Sequence, residues 1–161
     1  MKLKQLILTA LLMALCMVTT MAVQIPILGG GYIHPGDGFV LLSGIILGPG
    51  YGFLAAGIGS ALADITLGFS IFAPATLVIK GLMALIVGFW PSRKPLLILL
   101  SFILAESVMV AGYFVYEWLI IFSNMKTALA NIPWNLVQAS GGVVIAFPLY
   151  LALTKTSIIN K

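Results

Sequence analysis

Six apolar runs, separated by glycine, proline and a few charged residues, limit what this chain can fold into. They occupy positions 6–23, 37–47, 51–67, 71–90, 96–122 and 133–153. A helix crossing about 30 Å of hydrocarbon needs roughly 20 apolar residues. The runs are continuous and do not alternate, which argues against a transmembrane barrel. Composition points the same way. The chain is 61% hydrophobic and 7% charged, where a soluble domain carries about 25% charged residues. Twelve charges cannot cover a water-soluble sphere of 161 residues. A soluble enzyme, a nucleic-acid module and a disordered chain are thereby excluded. The expected fold is all-α: a single membrane bundle over 1–161 with six transmembrane helices. Six spans use about 120 residues, which leaves no room for an extramembrane domain.

The first run reads as a retained helix. Its 18 residues exceed a typical signal core, and Gln24-Ile25-Pro26 offers no small-x-small cleavage site. With six spans, Lys2, Lys4, Arg93, Lys94, Lys155 and Lys161 share one side, six of the eight basic residues. The positive-inside rule makes that side cytoplasmic, so both termini are expected there. The loops at 24–36, 68–71 and 123–132 then face outward, and their length and polarity point to a site open to the outside. Asp37 opens the second run as a helix cap, and Gly48-Pro49-Gly50 reads as a turn. Cys16 lies alone inside the first run and reads as inert packing.

Polar residues inside apolar runs mark function by default. Asp64 and Lys80 sit near the same end of adjacent runs and read either as a structural ion pair or as direct ligand contacts. Glu106, Tyr113 and Glu117 share one helical face, and Glu106 lies deep enough to need a partner, a proton or a cavity. Asn131, Asn135, Gln138 and Gly142 are spaced 4, 3 and 4, a stripe of amides ending in glycine. Amides bond neighbouring helices or read the edge of a polar ring compound. His34 stands alone in a glycine-rich loop, as a gate, a polar ligand contact or a solvated residue. No metal site and no cofactor is expected. No Ser-His-Asp order, HExxH, CxxC or P-loop is present.

Three function classes fit such a chain. It is a substrate-binding transporter subunit, a small membrane enzyme acting on lipid through Glu106 and Asp64, or a structural subunit of a larger complex. The first run holds Ala10-Leu-Leu-Met-Ala14, a small-xxx-small motif. Further segments stand out: GYIHPGDGFVLLSGIILGPGYGFLAAGIGSALAD at 31–64, FAPATLVIKGLMALIVG at 72–88, GYFVYE at 112–117 and NIPWNLVQASGGVVIA at 131–146. With these segments the chain resembles the S components of energy-coupling-factor vitamin transporters, in the hydroxymethylpyrimidine/pyridoxine-type branch. The resemblance implies a non-enzymatic, high-affinity vitamin-binding subunit in the bacterial plasma membrane. Its partners would be a transmembrane coupling subunit and two ATPase subunits that hydrolyse the ATP. Ala10 and Ala14 would form the docking seam. Tyr113, Glu117, Asn135 and Gln138 would bind the vitamin, with His34, Asp37 and Trp134 as second choices. The Gly29-Gly30-Gly31 loop would act as a lid.

Overall fold

A computed structural model describes residues 3–27, 31–90 and 94–156. Helix α1 spans Leu3–Ala22, α2 Asp37–Thr66, α3 Ala73–Phe89, α4 Pro95–Tyr116 and α5 Met125–Leu153. Strands β1 (Ile25–Pro26) and β2 (Tyr32–Ile33) pair antiparallel between α1 and α2, with Ile25 opposite Ile33. Four helical stretches are long and apolar enough to cross a membrane: Leu3–Ala22, Asp37–Thr66, Pro95–Ile121 and Met125–Leu153. Ala73–Phe89 is a shorter apolar helix. The protein is an all-α membrane bundle.

The long helix α2 is bent into two arms. Gly48 has φ +76°, inside the left-handed region that glycine enters without strain, and Pro49 follows it. A Cβ placed on Gly52 would lie 3.0 Å from the Cα of Gly44. Residues eight apart in a straight helix are about 12 Å apart along the axis, so the arms fold back on each other as a hairpin. The expected turn at 48–50 is therefore present inside one helical element. The first arm, 37–47, is only about 16 Å long at 1.5 Å per residue. Asp37 consequently starts its helix deep in the bundle, where it is 0% exposed.

Small residues let the helices approach closely. A Cβ on Gly59 would collide with the Met13 carbonyl of α1, and one on Gly57 with the Leu77 carbonyl of α3. In lipid, where apolar surface has no drive to leave water, such contact supplies much of the association. The core between the arms of α2 and the other helices holds Cys16, Leu41, Met83, Phe102, Met109 and Tyr150. Cys16 is fully buried there beside Ser43, as packing.

Pro74 and Pro95 sit in the first turns of α3 and α4, where no backbone N–H is needed. The Asn124 side chain caps α5 by accepting from the N–H of Lys126 at 2.9 Å. Between α4 and α5, Glu117–Ile121 forms a π-helical turn, with the Phe122 N–H donating to the Glu117 carbonyl at 2.8 Å. One turn of this kind rotates the residues it contains and is frequent at functional sites.

Candidate functional site

The β1–β2 hairpin and the loop after it press into the end of the bundle where α3 and α5 begin and α4 finishes. A small polar pocket lies beneath them. Its walls come from Tyr32 and His34 of the loop, Asp64 of α2, Thr76 of α3, and Tyr113 and Glu117 at the end of α4. Asn135 and Gln138 of α5 complete the polar lining. Ile27, Gly31 and Phe72 supply apolar edges. The cavity volume is about 30 Å³, room for one or two waters at the roughly 10–15 Å³ that each requires.

The hydrogen bonds divide these residues into two groups. The Tyr32 hydroxyl donates to Asp64 Oδ1 at 2.6 Å, and the Tyr32 ring packs on Phe69 at 4.6 Å between centroids. The hydroxyls of Thr76 and Tyr113 share a bond of 3.0 Å. Asn131 donates to Glu117 Oε2 at 3.0 Å, which ties the start of α5 to the π-helical turn. Two buried polar atoms on the pocket residues have no hydrogen-bond partner among the described residues: Asp64 Oδ2, an acceptor, and Asn135 Nδ2, a donor. A buried polar atom without a partner is unfavourable by about 1–3 kcal/mol. These two are the atoms that a bound polar molecule would relieve.

Gln138 belongs to the second group. Its Oε1 accepts from the backbone N–H of His34 at 3.2 Å, while its Nε2 donates to Asp37 Oδ2 at 2.8 Å. Both ends of the amide are thus engaged, and the side chain latches the loop after β2 onto α5. His34 Nδ1 accepts from the Gly36 N–H at 3.1 Å, so that nitrogen carries no proton. Burial pushes the His34 imidazole down to about 4 from its ordinary 6.5, which keeps the ring neutral at pH 7.

Beneath the pocket, Lys80 is 0% exposed and pairs with Asp37 Oδ1 at 2.5 Å. Its ammonium also lies 5.3 Å from the centroid of the Tyr113 ring, a cation–π distance. The expected Asp64–Lys80 pair is corrected here. The short first arm of α2 delivers Asp37 to the depth of Lys80, while Asp64, close to the C-terminal end of α2, is taken by Tyr32. Asp37 is also not a pocket residue, because both of its oxygens face the protein's own Lys80 and Gln138. Nor does it cap α2 with its side chain, although it opens that helix.

Tyr113, Glu117, Asn135, Gln138 and His34 all line the one pocket. Trp134 is not with them: it is 42% exposed and does not line the pocket. Three residues after Asn131 it stands about 60° short of a full turn, at the border of the amide stripe. Sequence reasoning missed Tyr32, Thr76 and Phe72. Tyr32 carried a signal, as an aromatic ring inside the glycine-rich segment. Thr76 had none, since one hydroxyl in an apolar helix usually bonds its own backbone. Gly29 and Gly30 of the expected lid lie outside the described residues. Ala10 and Ala14 are exposed on the face of α1 opposite Leu12 and Cys16, which are buried.

Comparison with known proteins agrees with this architecture. The family described as "ECF-type riboflavin transporter, S component" matches residues 1–155. A Pyrococcus woesei protein described as "Uncharacterized protein in gap 3'region" is 39% identical over 142 residues, which cover 86% of this chain and 93% of that protein. With a multi-helix membrane bundle and a polar pocket at one end, the chain belongs to the S components of ECF-type transporters, vitamin-binding membrane subunits that work with a coupling subunit and ATPases.

Proposed function

We propose that this chain captures a single-ring heteroaromatic vitamin or vitamin precursor, such as hydroxymethylpyrimidine or pyridoxine, for an ATP-driven importer. The observation that carries this reading is the pair of unpartnered atoms at the pocket, Asn135 Nδ2 and Asp64 Oδ2. One is a donor and the other an acceptor, as needed to read a ring edge that offers both. Tyr32 and Tyr113 add aromatic faces, and Glu117 a second carboxylate. At about 30 Å³ the cavity admits no ring until the His34 loop opens. The matched family's description names riboflavin, so a flavin is the competing ligand.

In the proposed cycle the six helical segments, with the two arms of α2 counted separately, lie in the membrane with both termini in the cytoplasm. The pocket opens outward when Gln138 releases the His34 loop, and the loop closes over the vitamin. The exposed Ala10 and Ala14 then dock the coupling subunit, whose ATPase partners hydrolyse the ATP and reorient the bundle. This chain hydrolyses nothing.

Thermal unfolding of the purified protein with hydroxymethylpyrimidine, pyridoxine and riboflavin tests the reading. A ligand at 100 times its Kd stabilises by about 2.7 kcal/mol. Stabilisation by a single-ring compound, weakened about tenfold in affinity by Asn135→Leu, is the expected outcome. Stabilisation by riboflavin alone moves the assignment to flavins. No response to any vitamin would sink the binding role of this pocket.

A further inference from the structure

The charges of the pocket at the end of the bundle do not balance. Two carboxyl side chains line it, Asp64 of α2 and Glu117 at the end of α4, and no lysine or arginine joins them among the described residues. Both acids are buried, at 4% and 3% exposure. Lys80 lies beneath the pocket, but its ammonium is committed to Asp37 and it is not part of the lining. His34 does not supply the missing charge, because its ring is neutral and its Nδ1 accepts from the Gly36 N–H. The donors on the two acids are themselves uncharged: the Tyr32 hydroxyl on Asp64 Oδ1 and the Asn131 amide on Glu117 Oε2. Asp64 Oδ2 receives no donor among the described residues.

Asp64 is covered by the part of the chain that has to move. Tyr32 belongs to β2, two residues before His34. The cavity of about 30 Å³ admits no ring until this loop lifts. When Tyr32 leaves with the loop, Asp64 Oδ1 loses its donor as well, so both oxygens become available to a ligand. Glu106 differs: it lies against Gly142 and does not line this pocket. A carboxylate held out of water calls for a counter-charge, and an ammonium or amidinium beside it forms the stronger, charge-assisted hydrogen bond. Tyr32, Phe72 and Tyr113 bring aromatic rings to the same walls, and ring faces attract cations. Asn135 Nδ2 is a buried donor without a partner among the described residues. It asks for an acceptor on the ligand, a ring nitrogen or a hydroxyl oxygen.

We propose that the ligand of this pocket is a cation: one heteroaromatic ring bearing a protonated amine or amidine that pairs with Asp64. Glu117 adds the second carboxylate, and Asn135 bonds a ring acceptor. The proposal rests on the reading of this pocket as the site of a single-ring vitamin-type compound. A neutral ring of the same shape leaves both acids without a counter-charge, and an anionic ring adds a third negative charge.

The test holds the ring constant and changes the charge. Pyridoxamine, pyridoxine and pyridoxic acid carry an ammonium, a hydroxyl and a carboxylate at one position of the same pyridine. Aminomethylpyrimidine and hydroxymethylpyrimidine repeat the first two on a pyrimidine. Each is titrated calorimetrically into the purified full-length protein at neutral pH. In at least one series the amine is expected to bind about tenfold more tightly than the alcohol, the difference between a charged and a neutral hydrogen bond, with pyridoxic acid weakest. Asp64→Asn should erase the gap between amine and alcohol. If Asp64→Asn does not fold, Glu117→Gln is expected to narrow the same gap. Equal binding of amine and alcohol in both series overturns the cationic ligand and leaves the single-ring reading standing. A gap undiminished in Asp64→Asn overturns the pairing with that residue. Binding by none of the five compounds, or by riboflavin alone, overturns the proposal and the single-ring reading together.

Discussion

Lys80 and Asp37 form a fully buried ion pair at the base of the pocket. Removing one partner strands the other charge, which typically destabilises by about 3–5 kcal/mol. Lys80→Met should therefore lower the unfolding midpoint sharply, and Lys80→Met with Asp37→Asn should recover much of the loss. Thermal unfolding in detergent, followed by circular dichroism, checks both. His34 gives a pH signature. Its folded pKa of about 4 lies below the ordinary 6.5, so the unfolded chain binds the proton more readily. The contribution of His34 to stability is complete above pH 6.5 and is lost as the pH falls through 4. His34→Gln should flatten the stability profile between those values, and an unchanged slope would contradict the neutral, partly buried ring. At this scale the sequence showed which residues were out of place in lipid, because polar groups inside apolar runs are visible on their own. It did not show which of them meet: it pointed to Asp64 as the partner of Lys80, and only the depth of Asp37 in the bundle makes the pair.

Among the elements, α2 departs most from a simple reading. Its two apolar runs were legible, and so was the Gly-Pro-Gly turn between them. The hairpin's consequence was not: a first arm of about 16 Å cannot cross the hydrocarbon, so its N-terminus is carried inside. Gly48 has φ +76° and ψ −176°, a combination essentially confined to glycine, and Gly48→Val should destabilise the protein by about 1–3 kcal/mol through backbone strain. Gly59 has no such φ but abuts the α1 backbone at Met13. Gly59→Leu should destabilise through overpacking by about 1–3 kcal/mol, and limited proteolysis should report α1 loosened from the bundle. The π-helical turn at 117–121 was also invisible in the sequence, because nothing in the spacing of residues 113–121 departs from an ordinary helix. It places Glu117 against Asn131, a contact that depends on the return of α5.

For the molecule as a whole, α1 presents its buried face, Thr9, Leu12, Cys16 and Thr20, to the bundle and leaves Ala10 and Ala14 outward. Ala10→Trp together with Ala14→Trp should leave vitamin binding and the unfolding midpoint nearly unchanged. Copurification with the coupling subunit and vitamin uptake should both fail. Normal uptake would place the docking surface elsewhere. The scarcity of charge determined by itself that the chain lives in lipid, and the continuous, non-alternating apolar runs that it is helical, with backbone groups satisfied within each segment. The amide stripe of α5 and the Tyr113–Glu117 face were likewise written locally, as helical periodicity. Only the tertiary structure decided that Gln138 serves as a latch, that Lys80 belongs to Asp37, and that Glu106, buried against Gly142, has no hydrogen-bond partner among the described residues. Those outcomes depend on relative helix depth and on which side chains already have partners, and both are set when segments 43 to 104 residues apart in the chain come into contact.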